Sequence, residues 1–212
     1  MKAIIIGATG ATGKDLVPVL LQDAYYSEVV IFVRHSGGMA HPKLKEIITD
    51  FDKLEEVAEF INGDILFSCL GTTLKAAGSK DKQCHIDYEI PLRFAEIAKR
   101  NGVLRMVLLS AYGASATSNV FYSRIKGKLE DAISHLAFSG YIIFRPGLLE
   151  RKDTDRPGER ISVAFLHLLN RLALIRKFKP MPTSILAEKL AKSPKVLAQG
   201  QHVIELNKIF SF

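Results

Sequence analysis

Tyr122 and Lys126 stand four residues apart in the stretch FYSRIKGKLE (121–130). On a helix this spacing places both side chains on one face. An isolated tyrosine hydroxyl titrates near about pH 10. A neighbouring ammonium stabilises the phenolate and brings the hydroxyl toward the range where it can exchange protons with a substrate. Ser110 lies twelve residues before Tyr122, at the end of an apolar run, where its hydroxyl could orient a substrate carbonyl. Such a set suits proton exchange at a carbonyl oxygen. Reduction further requires a hydride donor alongside.

The stretch AIIIGATGATGKD (3–15) offers a place for one, because its apolar run ends in Gly7, Gly10 and Gly13. A triphosphate loop is excluded. It needs GxxxxGK followed by Ser or Thr, and here Ala8 takes the place of the first glycine and Asp15 that of the hydroxyl residue. GxxGxxG between a strand and a helix is instead a variant of the dinucleotide fingerprint. Its missing side chains allow a tight turn, close backbone approach to a pyrophosphate and close helix packing. The helix that follows turns its first amides toward the anion. Gly7, Thr9, Gly10, Ala11, Thr12 and Gly13 are the expected cradle.

A carboxylate after the second strand would read a ribose 2′-hydroxyl and favour NAD(H). The sequence there is Val33-Arg34-His35, and Arg34 suits a 2′-phosphate. NADP(H) is therefore expected over NAD(H). Lys14 would add a second positive charge, and Asp50-Phe51, after the third strand, would edge the adenine.

These residues are scattered along the chain and need a scaffold to assemble them. Strand-like runs are expected at 3–6, 29–33, 47–49, 65–69, 106–109, 141–144 and 202–206, and helices at 12–22, 53–60, 86–100, 121–136 and 164–174. Short continuous Ile/Val/Leu runs suit strands buried on both faces. Their alternation with helices predicts an α/β fold, a doubly wound parallel sheet of the Rossmann type. Pro18 falls inside the first helix and is expected to kink it. Beyond Arg151 the rhythm weakens into a charged, turn-rich stretch. The expected organisation is one domain over 1–212, with a small C-terminal cap or substrate region at 151–200.

The glycine spacing, the serine after strand five and the YxxxK pair resemble the short-chain dehydrogenases/reductases. The stretches SCLGTT (68–73), AGSKDK (77–82), IDYEIPLRFAEIAKRNGV (86–103), FYSRIKGKLE (121–130), FRPGLL (144–149) and RPGER (156–160) are similar to its atypical subgroup, which includes the mammalian Tat-interacting protein and small bacterial NAD(P)-binding oxidoreductases. The resemblance implies that Leu70, Gly71, Thr72 and Thr73 line the nicotinamide-ribose side and that Lys126 also holds the ribose hydroxyls. It makes Tyr122 the acid/base and lets Arg145, Pro146 and Gly147 close the floor. Two departures stand out: Ser110-Ala111 replaces the paired serines of many such enzymes, and Asp87 stands where relay enzymes use Asn. The activity expected is reduction of a small carbonyl substrate by NADPH. The alternative is a non-catalytic NADP(H)-binding sensor that acts through a partner.

Composition narrows the classes. With 212 residues, 48% hydrophobic and 24% charged, the chain suits an ordinary globular protein. No apolar run reaches the roughly 18 residues of a membrane span. The first residues run directly into a strand pattern, so a cytoplasmic protein, monomer or homodimer, is expected. Cys69 and Cys84 form no CxxC and are expected as reduced thiols, Cys69 in packing. The six histidines show no ligand spacing, so no metal is expected. The net charge of +7 comes without a nucleic-acid-binding signature, and an anionic cofactor accounts for it. Residues 161–180 alternate apolar and basic positions at helical spacing. They fit either a membrane-surface helix or a cap helix with cations at its C-terminus; the lack of Trp and the few basic residues before Arg171 favour the cap.

Overall fold

The apolar runs assemble into one seven-stranded sheet in a computed structural model that describes residues 1–150 and 179–212. Its strands are β1 (Lys2–Ile6), β2 (Glu28–Val33), β3 (Leu44–Ile48), β4 (Ile65–Ser68), β5 (Arg105–Leu109), β6 (Gly140–Arg145) and β9 (Gly200–Glu205), all paired in parallel. Two-residue strands β7 (Leu149–Glu150) and β8 (Met181–Pro182) pair separately. The order β3-β2-β1-β4-β5-β6-β9 reverses its winding direction between β1 and β4. In open α/β sheets the ligand crevice lies at this switch point, outside the strands' carboxyl ends.

Ile4, Ile5 and Ile6 of β1 are fully buried, as are Ile65, Leu66 and Phe67 of β4, because both faces of the sheet are covered. Alternation divides β1 between two cores. Ala3 and Ile5 pack with Leu16 and Leu20 of α1 (Ala11–Gln22), and with Leu186 and Leu190 of a later helix at 183–196. Ile4 and Ile6 pack on the opposite face with Phe94 and Ala98 of α4 (Ile90–Arg100) and with Leu129 and Ile133 of α5 (Phe121–His135). Helices on both faces make the sheet doubly wound, as the sequence predicts. Tyr26, fully buried, donates its hydroxyl to the Ala191 carbonyl at 2.7 Å and so stitches the first helical layer to the sheet.

The differences from the sequence reading are local. Edge strand β3 begins at Leu44, three residues before the expected start, because the polar Lys45 and Glu46 break the apolar run. Helix α1 continues through Pro18 for a further turn. Residues 54–60 form a 3₁₀ helix. Before α4, the segment is built from α2 (Leu74–Ala77), α3 (Lys80–Cys84) and a π-helical turn at His85–Glu89. Of the range expected as a cap, residues 183–196 form α6 (Thr183–Val196), with Leu186, Ala187, Leu190 and Ala191 buried in the first core. A last helix, α7 (Lys208–Ser211), closes the described chain. The helix expected at 164–174, the RPGER stretch and nearly all of the amphipathic stretch 161–180 lie outside the described residues.

Candidate active site at the switch point

The glycine loop leaves β1 at Gly7, which takes φ +79°. A Cβ there would stand 2.5 Å from the Cys69 carbonyl carbon and the Leu70 nitrogen, so the loop presses directly on the backbone leaving β4. Gly13 is equally constrained, since its Cβ would lie 2.1 Å from the Gly7 oxygen and 2.7 Å from the Ala8 Cα. Gly10 differs. Its Cβ would meet only the Gly7 oxygen, at 3.2 Å, and the residue is exposed as the N-cap of α1. No side chain caps this helix and no acid sits in its first turn. The free amides and helix dipole thus face an open surface suited to an anion. Thr9 is exposed beside them, Ala11 half-buried and Thr12 buried. A dinucleotide pyrophosphate fits this cradle.

On the other side of the Cys69-Leu70-Gly71 segment lies Lys126, in the second turn of α5. Its ammonium is 2% exposed, donates to the Leu70 carbonyl at 3.5 Å and stands 3.6 Å from Asp87 Oδ1. Asp87 is fully buried and accepts from the Thr72 amide at 2.8 Å. Burial pushes its carboxyl up, against the opposing pull of the Lys126 charge and the Thr72 amide. Gln83, also buried, donates to the Thr72 carbonyl at 3.2 Å and completes the frame around the segment. A Cβ at Gly71 would sit 3.0 Å from Asp87 Oδ1 and 3.3 Å from Lys126 Nζ, so the bare backbone of the segment packs closely over the buried pair. Tyr122 is 38% exposed, and Lys126 Nζ lies 5.9 Å from its ring centre. The structure therefore brings Tyr122 and Lys126 together as expected.

Ser110 is placed differently. It is 5% exposed and donates its hydroxyl to Glu130 Oε1. Glu130 in turn holds Arg145 through two bonds, 3.1 Å from Nε and 2.5 Å from a terminal nitrogen. The carboxylate keeps the guanidinium firmly protonated. This cluster ties the ends of β5 and β6 to α5, so the hydroxyl expected to meet a substrate carbonyl has its proton on an internal carboxylate. The Ser110 amide donates to Phe144, and the Tyr112 amide to Pro146, which fixes the start of the loop 110–120 against β6. Its later part rests on Gly127, where a Cβ would lie 2.2 Å from the Ser115 carbonyl carbon.

At the other end of the crevice Arg34 is exposed, directly after β2. The loop beyond it is anchored by Glu46, which accepts from Ser36 Oγ at 2.5 Å and the Gly37 amide at 2.9 Å. Asp50 is exposed and accepts from the Asp52 amide at 3.0 Å. Phe51 and Asp52 border a cavity of 330 Å³ shared with Leu54 and Arg93; none of its lining residues belongs to the glycine loop or to α5. His85 bridges this region to the π turn: one ring nitrogen lies 2.7 Å from Asp52 Oδ1, the other 2.7 Å from Glu89 Oε2. The half-buried Cys69 opens the 69–71 segment, and burial pushes its thiol up to about 12, away from the thiolate form that reactivity requires. Among the described residues no group of histidines, cysteines and acids could hold a metal, and no helix is long and apolar enough to cross a membrane.

Glu130 and Gly127, which brace α5 against its neighbours, were not among the residues expected from the sequence, and Asp87 was marked there only as a departure. Glu130 had a readable signal, since Tyr122, Lys126 and Glu130 recur every four residues on one helix face.

A doubly wound parallel sheet with this glycine loop at its switch point is the architecture of a dinucleotide-binding fold. Residues 7–164 match the model of the NAD(P)H-binding family, and the chain belongs to that family. It is 36% identical over 166 residues to the protein HTATIP2 of Rattus norvegicus, covering 76% of this chain and 68% of that protein. It is likewise 36% identical over 169 residues to the mitochondrial protein FMP52 of Candida albicans, covering 76% and 74%. Among solved structures, a short-chain dehydrogenase/reductase superfamily protein from Agrobacterium tumefaciens with bound NAD superposes with a TM-score of 0.73 at 14% identity, over 97% of this chain and 77% of that one. The oxidoreductase ylbE from Lactococcus lactis gives 0.67 at 18% identity, over 97% and 90%. At these identities the likeness is one of fold.

Proposed function

We propose that the chain is an NADP(H)-dependent oxidoreductase that reduces a small carbonyl compound. One observation carries the reading: the short segment 69–71 is pressed from one side by the dinucleotide loop at Gly7 and held from the other by Lys126, the partner of Tyr122. Cofactor cradle and proton-handling pair thus share one piece of backbone. When bound, NADPH supplies a hydride to the carbonyl carbon. Tyr122 donates its phenolic proton to the oxygen as negative charge develops there. Lys126 stabilises the resulting phenolate and holds the ribose hydroxyls beside Gly71. Arg34 and Lys14 meet the 2′-phosphate, Asp50 edges the adenine, and Arg145 with Pro146 forms the floor. Ser110 braces α5 through Glu130, and it contacts a substrate oxygen only after turning from that carboxylate. The proposed compartment is the cytoplasm; the mitochondrion, named in the fungal relatives, is the alternative that cell fractionation separates.

The test follows loss of reduced-nicotinamide absorbance against a panel of aldehydes, ketones and quinones, with Tyr122→Phe as control. The proposal expects turnover that disappears in the variant while cofactor affinity stays. The engaged proton of Ser110 favours a second reading, a sensor that binds NADP(H) without turnover and reports its redox state to a partner. Tight binding with silence across the panel would select it.

A further inference from the structure

The Tyr122–Lys126 pair has a third member. We infer that Asp87 is a positioning residue for Lys126, the buried counter-ion that fixes its ammonium beneath Gly71. This rests on the reading of Lys126 as a cofactor-holding residue. Asp87 comes from the π turn, not from the regular helix, and π turns inside helices often mark functional positions. Its side chain is fully buried, and Lys126 is nearly so. Oδ1 accepts the Thr72 amide and faces the ammonium, so one oxygen sets both the backbone of the 70–72 segment and the cation under it. Oδ2 is buried with no hydrogen-bond partner, a cost that the facing Lys126 ammonium helps to offset.

The surroundings offer Lys126 no substitute. From α5 it faces the Tyr122 ring, and from the end of β4 the Leu70 carbonyl and the Cys69 thiol. Asp87 itself is faced by Gln83 and, more distantly, by Cys84 of α3. Among the described residues Asp87 supplies the single carboxylate within ion-pair distance of Lys126. A buried ammonium without a counter-ion gives up its proton several pH units early. A neutral amine would neither stabilise a Tyr122 phenolate nor attract ribose hydroxyls as strongly.

Asp87→Asn keeps the shape and the acceptor for Thr72 while removing the charge. Nitrogen-15 NMR of the Lys126 side chain in cofactor-free protein, from about pH 6 to pH 10, reads the pair directly. The variant should release the Lys126 proton at least about one pH unit below the wild type. Its NADPH affinity, read from cofactor fluorescence, should match the wild type within about twofold near pH 6 and fall at least about tenfold once Lys126 is neutral. Wild-type affinity should stay level over that interval. An unchanged Lys126 titration in Asp87→Asn overturns the inference, even if the variant melts lower, because a purely structural acid would give that result. Absence of NADPH binding by the wild type would sink the cofactor reading, while the cofactor-free titration still judges Asp87. Should Asp87→Asn fail to fold, adding Lys126→Met is expected to restore folding by removing the orphaned charge; a double variant that stays unfolded also counts against the pairing.

Discussion

Alanine at Gly13 and alanine at Gly10 should have opposite consequences. Helix propensity alone favours Ala over Gly inside α1 by about 1 kcal/mol, so Gly13→Ala would be expected to stabilise. The structure reverses the sign. The new Cβ would stand 2.1 Å from the Gly7 oxygen, 2.7 Å from the Ala8 Cα and 2.9 Å from the Ala8 carbonyl carbon. All three are backbone atoms, and Gly7 is itself wedged against Cys69 and Leu70, so no rotamer change relieves the collision. Ordinary overpacking costs about 1–3 kcal/mol where side chains can yield. Here α1 has to lift from β1, and the net loss should be about 2 kcal/mol or more after the propensity gain. For a chain of this size that lowers Tm by at least roughly 4 °C. Gly10→Ala adds a methyl 3.2 Å from the Gly7 oxygen, at φ −75° and ψ 175°, where any residue is comfortable. Its stability cost should stay within about 1 kcal/mol, as for alanine at an N-cap. The methyl would occupy the space into which a pyrophosphate must come, lowering NADPH affinity at least about tenfold, or about 1.4 kcal/mol. Urea denaturation and cofactor titration on both variants separate the two effects. Gly13→Ala as stable as the wild type, or Gly10→Ala with undiminished NADPH affinity, would refute the division of the loop into packing and binding glycines.

Three other perturbations probe the rest of the site. Glu130→Gln leaves Arg145 and Ser110 without their carboxylate; breaking a buried pair costs about 3–5 kcal/mol, and partial exposure of Arg145 reduces this to about 2–3, read as a lower urea midpoint. An unshifted midpoint would show that the cluster contributes little. His85 has its ring nitrogens on Glu89 and Asp52, which raise its pKa above 6.5. The folded state therefore holds the proton more tightly than the unfolded chain. Its contribution is complete below about pH 6.5 and declines as pH rises through the raised folded value. His85→Gln should flatten the stability profile just above that pH, and an unaltered slope would discount the bridge. Arg34→Ser should weaken NADPH about tenfold and leave NADH unchanged, since only the 2′-phosphate loses a partner; equal losses for both nucleotides would place Arg34 elsewhere.

The seven sheet strands were legible because runs such as Ala3-Ile4-Ile5-Ile6 are buried on both faces and carry no competing signal. The two edge strands were misplaced at their starts, β3 by three residues and β9 by two, where polar Lys45 and Glu46 and the exposed Gly200 and Gln201 interrupt the apolar signal. The short helices α2 and α3 are below the length at which periodicity can be read. Thr73 and Ser79, which accept from Ala76 and Lys82, were their available markers. The π turn has no local sequence signature, and α6 was obscured by its interspersed lysines and Pro194. The Tyr122–Lys126 pair was readable because both members lie on one helix. The Ser110–Glu130–Arg145 cluster joins three elements, and the Asp87–Lys126 pair joins two; such contacts depend on packing that no local window contains.

Cofactor binding tests most directly whether this crevice holds a phosphorylated dinucleotide. The chain contains no tryptophan, so nicotinamide fluorescence can be followed without indole emission. NADPH and NADH should each be titrated against the same protein preparation in low-phosphate buffer. The prediction is saturable binding of NADPH with at least about tenfold preference over NADH. Binding of neither nucleotide, or tighter binding of NADH, would contradict the assignment built on the glycine loop and Arg34.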